Sequence, residues 1–144
     1  MANDQPTNPT ASSDATGLSA TLSSAAPTVQ AVLRIGAGLL FMQHGLQKLF
    51  GLLGGEAVQL VSQMGLAGVL EFFGGLMIVI GLFTRPVAII LTLEMIIAYF
   101  IAHQPQGGFP IQNGGELALL YALVFALLAT LGAGPASVDQ RLSG

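Results

Sequence analysis

His44, Gln47 and Lys48 stand within about a turn of one another in the stretch from Arg34 to Gly51, which is otherwise apolar enough to enter a bilayer. Three later apolar stretches each bring one acidic residue, Glu71, Glu94 and Glu116, and His103 and Asn113 fall near the end of a hydrophobic run or in the loop that follows. Polar groups at hydrocarbon depth cost free energy, so they mark either a site or a structural pair. His44 and Lys48 have the donors to hold the carbonyl oxygens of a quinone head or a small anion, and Glu71 or Glu116 can relay protons. The competing reading has His44 and Glu71 satisfying each other between helices while Lys48 snorkels to the interface. Arg34 and Glu94 lie deeper and are expected to form a buried structural pair, in which removing one partner strands the other's charge; the alternative is a role in a proton path or at the substrate. No residue is assigned as catalytic and no metal set is expected.

The composition decides what must position these groups. Of 144 residues, 53% are hydrophobic and 8% charged, against roughly 25% charged in an average soluble domain. A soluble bundle needs a polar face on each helix, and this chain cannot supply four. The net charge of -3 comes with no basic cluster, which argues against nucleic acid as a partner. Without cysteine there is no thiol catalysis, no Cys-ligated iron–sulfur centre and no covalent c-type haem. His44 and His103 on different helices raise the thought of bis-histidine haem, but His103 sits at a helix end beside Pro105 with no supporting pocket signature.

The expected fold is all-α, a bundle of four transmembrane helices with a disordered N-terminal tail. Residues 1–28 are rich in Ala, Ser, Thr, Asn and Pro and show no apolar period. They also lack the basic start and continuous apolar run of a secretory signal. The membrane domain covers 29–134. Its first helix, 29–50, has about the 20 residues a bilayer requires and is expected to act as an uncleaved insertion signal. Arg34, Gly38, Phe41, Gly45 and Lys48 share one of its stripes at 100° per residue, and the two glycines permit close approach of another helix. Residues 51–65 are too short and polar to span and are predicted to form a short interfacial helix. The second helix, 66–83, carries Gly68, Glu71 and Gly75 on one face. The third, 86–102, follows a turn at 84–86, where Thr84 or Arg85 can cap it. The fourth, 117–133, is preceded by Asn113 and Glu116 at the spacing of a capping box, and 135–144 form a short polar tail.

Four spans put both termini on one side, together with Arg34, Arg85 and Arg141, against Lys48 on the other; the positive-inside rule then places the termini in the cytoplasm. This topology gathers His44, Gln47, Lys48, Glu71, His103, Asn113 and Glu116 toward the outer side, with Glu71 roughly 8 Å below the outer end at about 1.5 Å per residue.

Three blocks, His44–Gly51, Leu70–Gly75 followed by Gly81–Pro86, and Asn113–Tyr121, resemble the DoxX family in order and spacing over residues 32–131. The resemblance implies a four-helix protein of the bacterial or archaeal cytoplasmic membrane. It also implies an association with sulfur-compound oxidation, where a related small subunit belongs to a thiosulfate:quinone oxidoreductase, but it supplies no settled catalytic residue. The reading that follows is a membrane subunit of a redox complex, working with a protein partner in the lipid bilayer, with no evident cofactor beyond a quinone. The alternatives are a binding or transport module for a small molecule or lipid, and a scaffold whose buried charges only fix packing. His44→Ala and Glu71→Gln variants that insert but lose function distinguish the first reading from the last.

Overall fold

The computed structural model describes residues 9–144, with side chains from Gly17 onward, and every regular element among them is helical. Helix α1 is Pro9–Phe50, 42 residues, about 63 Å long at 1.5 Å per residue and twice the roughly 30 Å of hydrocarbon. The disordered tail expected over 1–28 is therefore corrected from residue 9 onward; residues 1–8 lie outside the described residues. Ala-rich sequence favours helix, and elongation from a helix already nucleated in the membrane avoids the nucleation cost. Pro27 lies inside α1. The carbonyl it cannot serve belongs to Ser23, in an exposed segment where water can take the place of the missing donor.

The interfacial helix expected over 51–65 is also corrected. Gly51 and Gly54 adopt positive φ, as does Leu53, so the chain turns repeatedly instead of coiling. The Val58 amide donates to the Lys48 carbonyl (2.8 Å), folding the loop back over the end of α1. Ser62 then starts the next helix, its hydroxyl accepting from the Gly65 amide at 3.0 Å.

Helix α2 is Gln63–Ile80 and α3 is Thr84–Gln106. Each contains one wider π turn, Leu70–Gly74 in α2 and Tyr99–His103 in α3. A one-turn helix α4, Pro110–Asn113, interrupts the loop before α5, Glu116–Leu131, and a last short helix α6, Val138–Leu142, closes the chain. The segments Gly17–Phe50, α2 and α3 are long and apolar enough to cross a membrane. The fourth apolar helix, α5, has 16 residues, about 24 Å, because Gly114 and Gly132 take positive φ beyond its two ends. The capping box expected at its start is absent. Gly115 precedes α5 without a side-chain cap, and the Asn113 Oδ1 instead accepts from the Gly115 amide at 2.8 Å within the preceding loop. Leu40, Ile90, Leu93, Leu123 and Leu127 are exposed around the outside, as a lipid-facing surface requires and a water-facing one would not tolerate in such numbers.

Inside, α1 packs on α2 and α3 packs on α5. Leu91, Phe125 and Leu128 are almost wholly buried, and Phe41 of α1 joins this core edge-on to Phe125 with ring centres 4.8 Å apart. The glycine stripe acts as its spacing predicts. A Cβ at Gly38 would lie 2.8 Å from the Gly75 carbonyl oxygen, and one at Gly45 would run into the Phe72 backbone. Gly45→Val is expected to force α1 and α2 apart. Overpacking of this kind costs about 1–3 kcal/mol, and more when the obstacle is backbone. The melting temperature of the detergent-purified protein should fall clearly, whereas Gly36→Ala, where a Cβ meets nothing within 4 Å, should leave it unchanged.

Candidate functional site

Two polar groupings lie at opposite ends of the bundle. At the end shared with the C-terminal segment, Arg34 is fully buried. Its Nε donates to the Ala133 carbonyl at 2.8 Å, and its Nη atoms donate to the carbonyls of Ile78 (2.7 Å), Val79, Pro135 and Ala136 (2.9 Å). One guanidinium thus satisfies the open carbonyls where α2 ends and those just after α5, groups that a helix cannot satisfy itself. This overturns the expected Arg34–Glu94 pair, since Glu94 lies toward the other end of the bundle. Arg85 acts in the same way at the exposed rim, its Nη1 donating to the carbonyls of Ala129 (3.1 Å) and Thr130 (2.6 Å).

The polar tail expected over 135–144 is ordered by this arrangement. Ser137 caps α6, accepting from the Gln140 amide at 3.2 Å. The Asp139 carboxylate accepts from the amides of Phe83 (2.7 Å) and Thr84 (2.8 Å), so the cap of α3 is supplied from 55 residues away in sequence rather than by Thr84 or Arg85. Burial pushes the Asp139 carboxyl up, but hydrogen bonds from Thr84 and Phe83 and the nearby Arg34 charge outweigh it and hold it below its ordinary 3.8. A carboxyl depressed in the folded state contributes stability above its unfolded value and loses it as pH falls through the lower folded value. The C-terminal segment should therefore stay docked at neutral pH and release in acid below about pH 4. Hydrogen exchange of residues 137–143 against pH checks this. Asp139→Asn should raise exchange there already at neutral pH, by the several-fold expected for a cap worth about 0.5–2 kcal/mol.

Toward the other end, a cavity of about 560 Å3 opens between α1, α2, α3 and α5. Its polar lining includes His44, Lys48, Glu71, Glu94, His103 and Tyr121, set in walls of Phe41, Leu70, Met95 and Leu117. Lys48 Nζ donates to Glu71 Oε1 in an ion pair in which Glu71 is buried and Lys48 partly exposed. The second oxygen of Glu71 and both oxygens of Glu94 have no hydrogen-bond partner, although Glu71 is 3% and Glu94 9% exposed. The His44 ring stands edge-on to Tyr121, centres 6.0 Å apart. His103 Nδ1 donates to the Asn113 carbonyl at 3.2 Å, an arrangement that leaves Nε2 as the acceptor of the neutral ring.

Of the residues the sequence gathers here, His44, Lys48, Glu71 and His103 line the cavity. Gln47, Asn113 and Glu116 do not. The Gln47 amide donates to the Leu53 carbonyl at 3.1 Å, and Asn113 ties the loop together through the Gly107 carbonyl (2.9 Å). Glu116 is exposed in the first turn of α5. Glu94 and Tyr121 were not expected at this site. Tyr121 closes the third of the sequence blocks, so its place there was the available signal. For Glu94 the signal is an acid alone in an apolar span, which admits a proton-path role beside the expected pairing with Arg34.

The DoxX family matches residues 29–104, more than half of the chain. The chain belongs to the DoxX family. An uncharacterized protein of Haemophilus influenzae is 40% identical over 122 residues, covering 80% of this chain and 91% of that protein. No solved structure matches the chain. With its apolar helices, this DoxX protein is an integral membrane protein in contact with the bilayer. The family match spans α1 from residue 29 onward, α2 and nearly all of α3, and so includes His44, Lys48, Glu71, Glu94 and His103.

Proposed function

We propose that this DoxX protein is a membrane subunit of a redox complex and that its cavity takes the head of a quinone. The reading rests on one observation: buried carboxyl oxygens of Glu71 and Glu94 line a 560 Å3 cavity without a hydrogen-bond partner. Buried polar atoms are nearly always satisfied, and a ligand with its own polar atoms would satisfy these. Quinone reduction takes up two electrons and two protons. The carboxyls of Glu94 and Glu71 are suited to proton exchange with the head, and His44, Lys48 and Tyr121 supply donors for its carbonyl oxygens. The electrons would come from a redox partner protein, since no electron carrier is evident in the sequence, and the subunit would not turn over alone. The family's association with thiosulfate:quinone oxidoreductase is in keeping with this role. Arg34, Arg85 and Arg141 at the end with the C-terminal segment favour a bacterial cytoplasmic membrane with both termini inside, the cavity then lying toward the outer face.

Titration of the purified protein with a substituted benzoquinone tests the proposal. Glu94→Leu should weaken binding about tenfold or more, the value of a hydrogen bond to an ionisable group, while the melting temperature holds or rises because an unsatisfied polar group has gone. Equal affinity in Glu94→Leu and His44→Ala variants would rule the quinone site out.

A further inference from the structure

Resting on that reading, we infer that the ligand enters sideways from the bilayer, between α2 and α3, and is an amphiphile whose hydrocarbon tail stays in this opening. The two helix pairs, α1 with α2 and α3 with α5, pack closely within themselves but part at the cavity end. There the first turns of α2 lie on α1, leaving one lip of Met64, Leu66 and Ala67 opposite a second of Ile97, Ala98 and Ile101, all of which line the cavity. Met64, Leu66, Ile97 and Ile101 are each more than half exposed on the outside of the bundle. The same side chains therefore meet the cavity and the surrounding lipid, and no polar residue stands among these six. Behind the lips the lining becomes polar, at Glu71 and Glu94. An apolar mouth leading to unpartnered carboxyl oxygens fits a molecule with a polar head and an apolar tail, and the exposed Gln63 beside Met64 lies at its edge. Both flanking helices carry their π turns beside this opening, at Leu70–Gly74 and Tyr99–His103, a distortion frequent at functional sites.

The chain has no native cysteine, so nitroxide labels at Ala67→Cys and Ala98→Cys report on the two lips, with Leu123→Cys on the outer face of α5 as control. Collision rates with lipid-dissolved oxygen and with a water-soluble nickel chelate are measured in phosphatidylcholine vesicles. Oxygen collisions at 67 and 98 should resemble those at 123, with few nickel collisions. A fully substituted benzoquinone with a decyl tail should lower oxygen access at 67 and 98 at least about twofold, because a seated ligand buries most of its surface, and should leave 123 unchanged. Nickel access, or no access to either probe, at the lips overturns the lateral opening. If calorimetry on the unlabelled protein shows the tailed quinone bound while the lip probes stay unchanged, the ligand takes another route and the inference fails. If calorimetry shows no binding, the quinone reading fails instead.

Discussion

Arg34→Met should prevent the protein from accumulating as a folded species in the membrane, or leave it melting far below the native chain. The substitution keeps the apolar stem and removes every donor. It takes the donor from the carbonyls of Val79, Ala133, Pro135 and Ala136 at once and leaves Ile78 only the Gly81 amide. A buried group left without its partner costs about 1–3 kcal/mol, so even two such groups consume a large share of the roughly 5–15 kcal/mol that holds a domain folded. Arg34→Lys should rescue only in part, because an ammonium lacks the planar fork that reaches both helix ends. Size-exclusion profiles and thermal unfolding of the detergent-solubilised variants measure the difference. An Arg34→Met variant as stable as the native protein would mean that the carbonyl cradle contributes little.

The second large effect concerns Lys48 and Glu71. Lys48→Met leaves the Glu71 carboxyl, 3% exposed, without the ammonium it pairs with. Breaking a fully buried ion pair from one side costs about 3–5 kcal/mol, an upper bound here because Lys48 is partly exposed, whereas replacing both partners by apolar groups is often neutral. The double variant Lys48→Met, Glu71→Leu should therefore melt well above the single Lys48→Met variant and near the native protein. If the single and double variants melt together, the pair is not coupled and Lys48 serves the interface alone, as the snorkelling reading holds.

The sequence made some of this legible for reasons that can be named. Gly38 and Gly45 fall on one helical stripe, Gly68 and Gly75 on another, and close helix contact needs only that periodicity. Lys48 and Glu71 were placed at similar depth by counting residues. Arg34 was misassigned because charge suggests a charged partner, while its actual acceptors are backbone carbonyls at helix ends, which no side-chain pattern reveals. Glu94 was then assigned first to that pair and only second to a proton path, so its place in the cavity was hidden. Gln47, Asn113 and Glu116 were gathered by depth alone, but depth does not fix which way a side chain points at a helix end or in a loop. The stretch 51–65 carries Glu56, Gln59 and Gln63 at helical spacing, yet Gly51, Leu53 and Gly54 with positive φ rule out a continuous helix. The docking of Asp139 onto the start of α3 joins segments far apart in sequence, and composition marked that segment only as polar.

In the proposed role, the unpartnered carboxyl of Glu94 meets the quinone. Infrared difference spectra of the protein in lipid vesicles, recorded on adding a tailed benzoquinone, test it directly. A carboxyl band that shifts on addition and is missing in Glu94→Gln is the predicted result. A spectrum unchanged in the carboxyl region, or a shift that survives in Glu94→Gln, would contradict it.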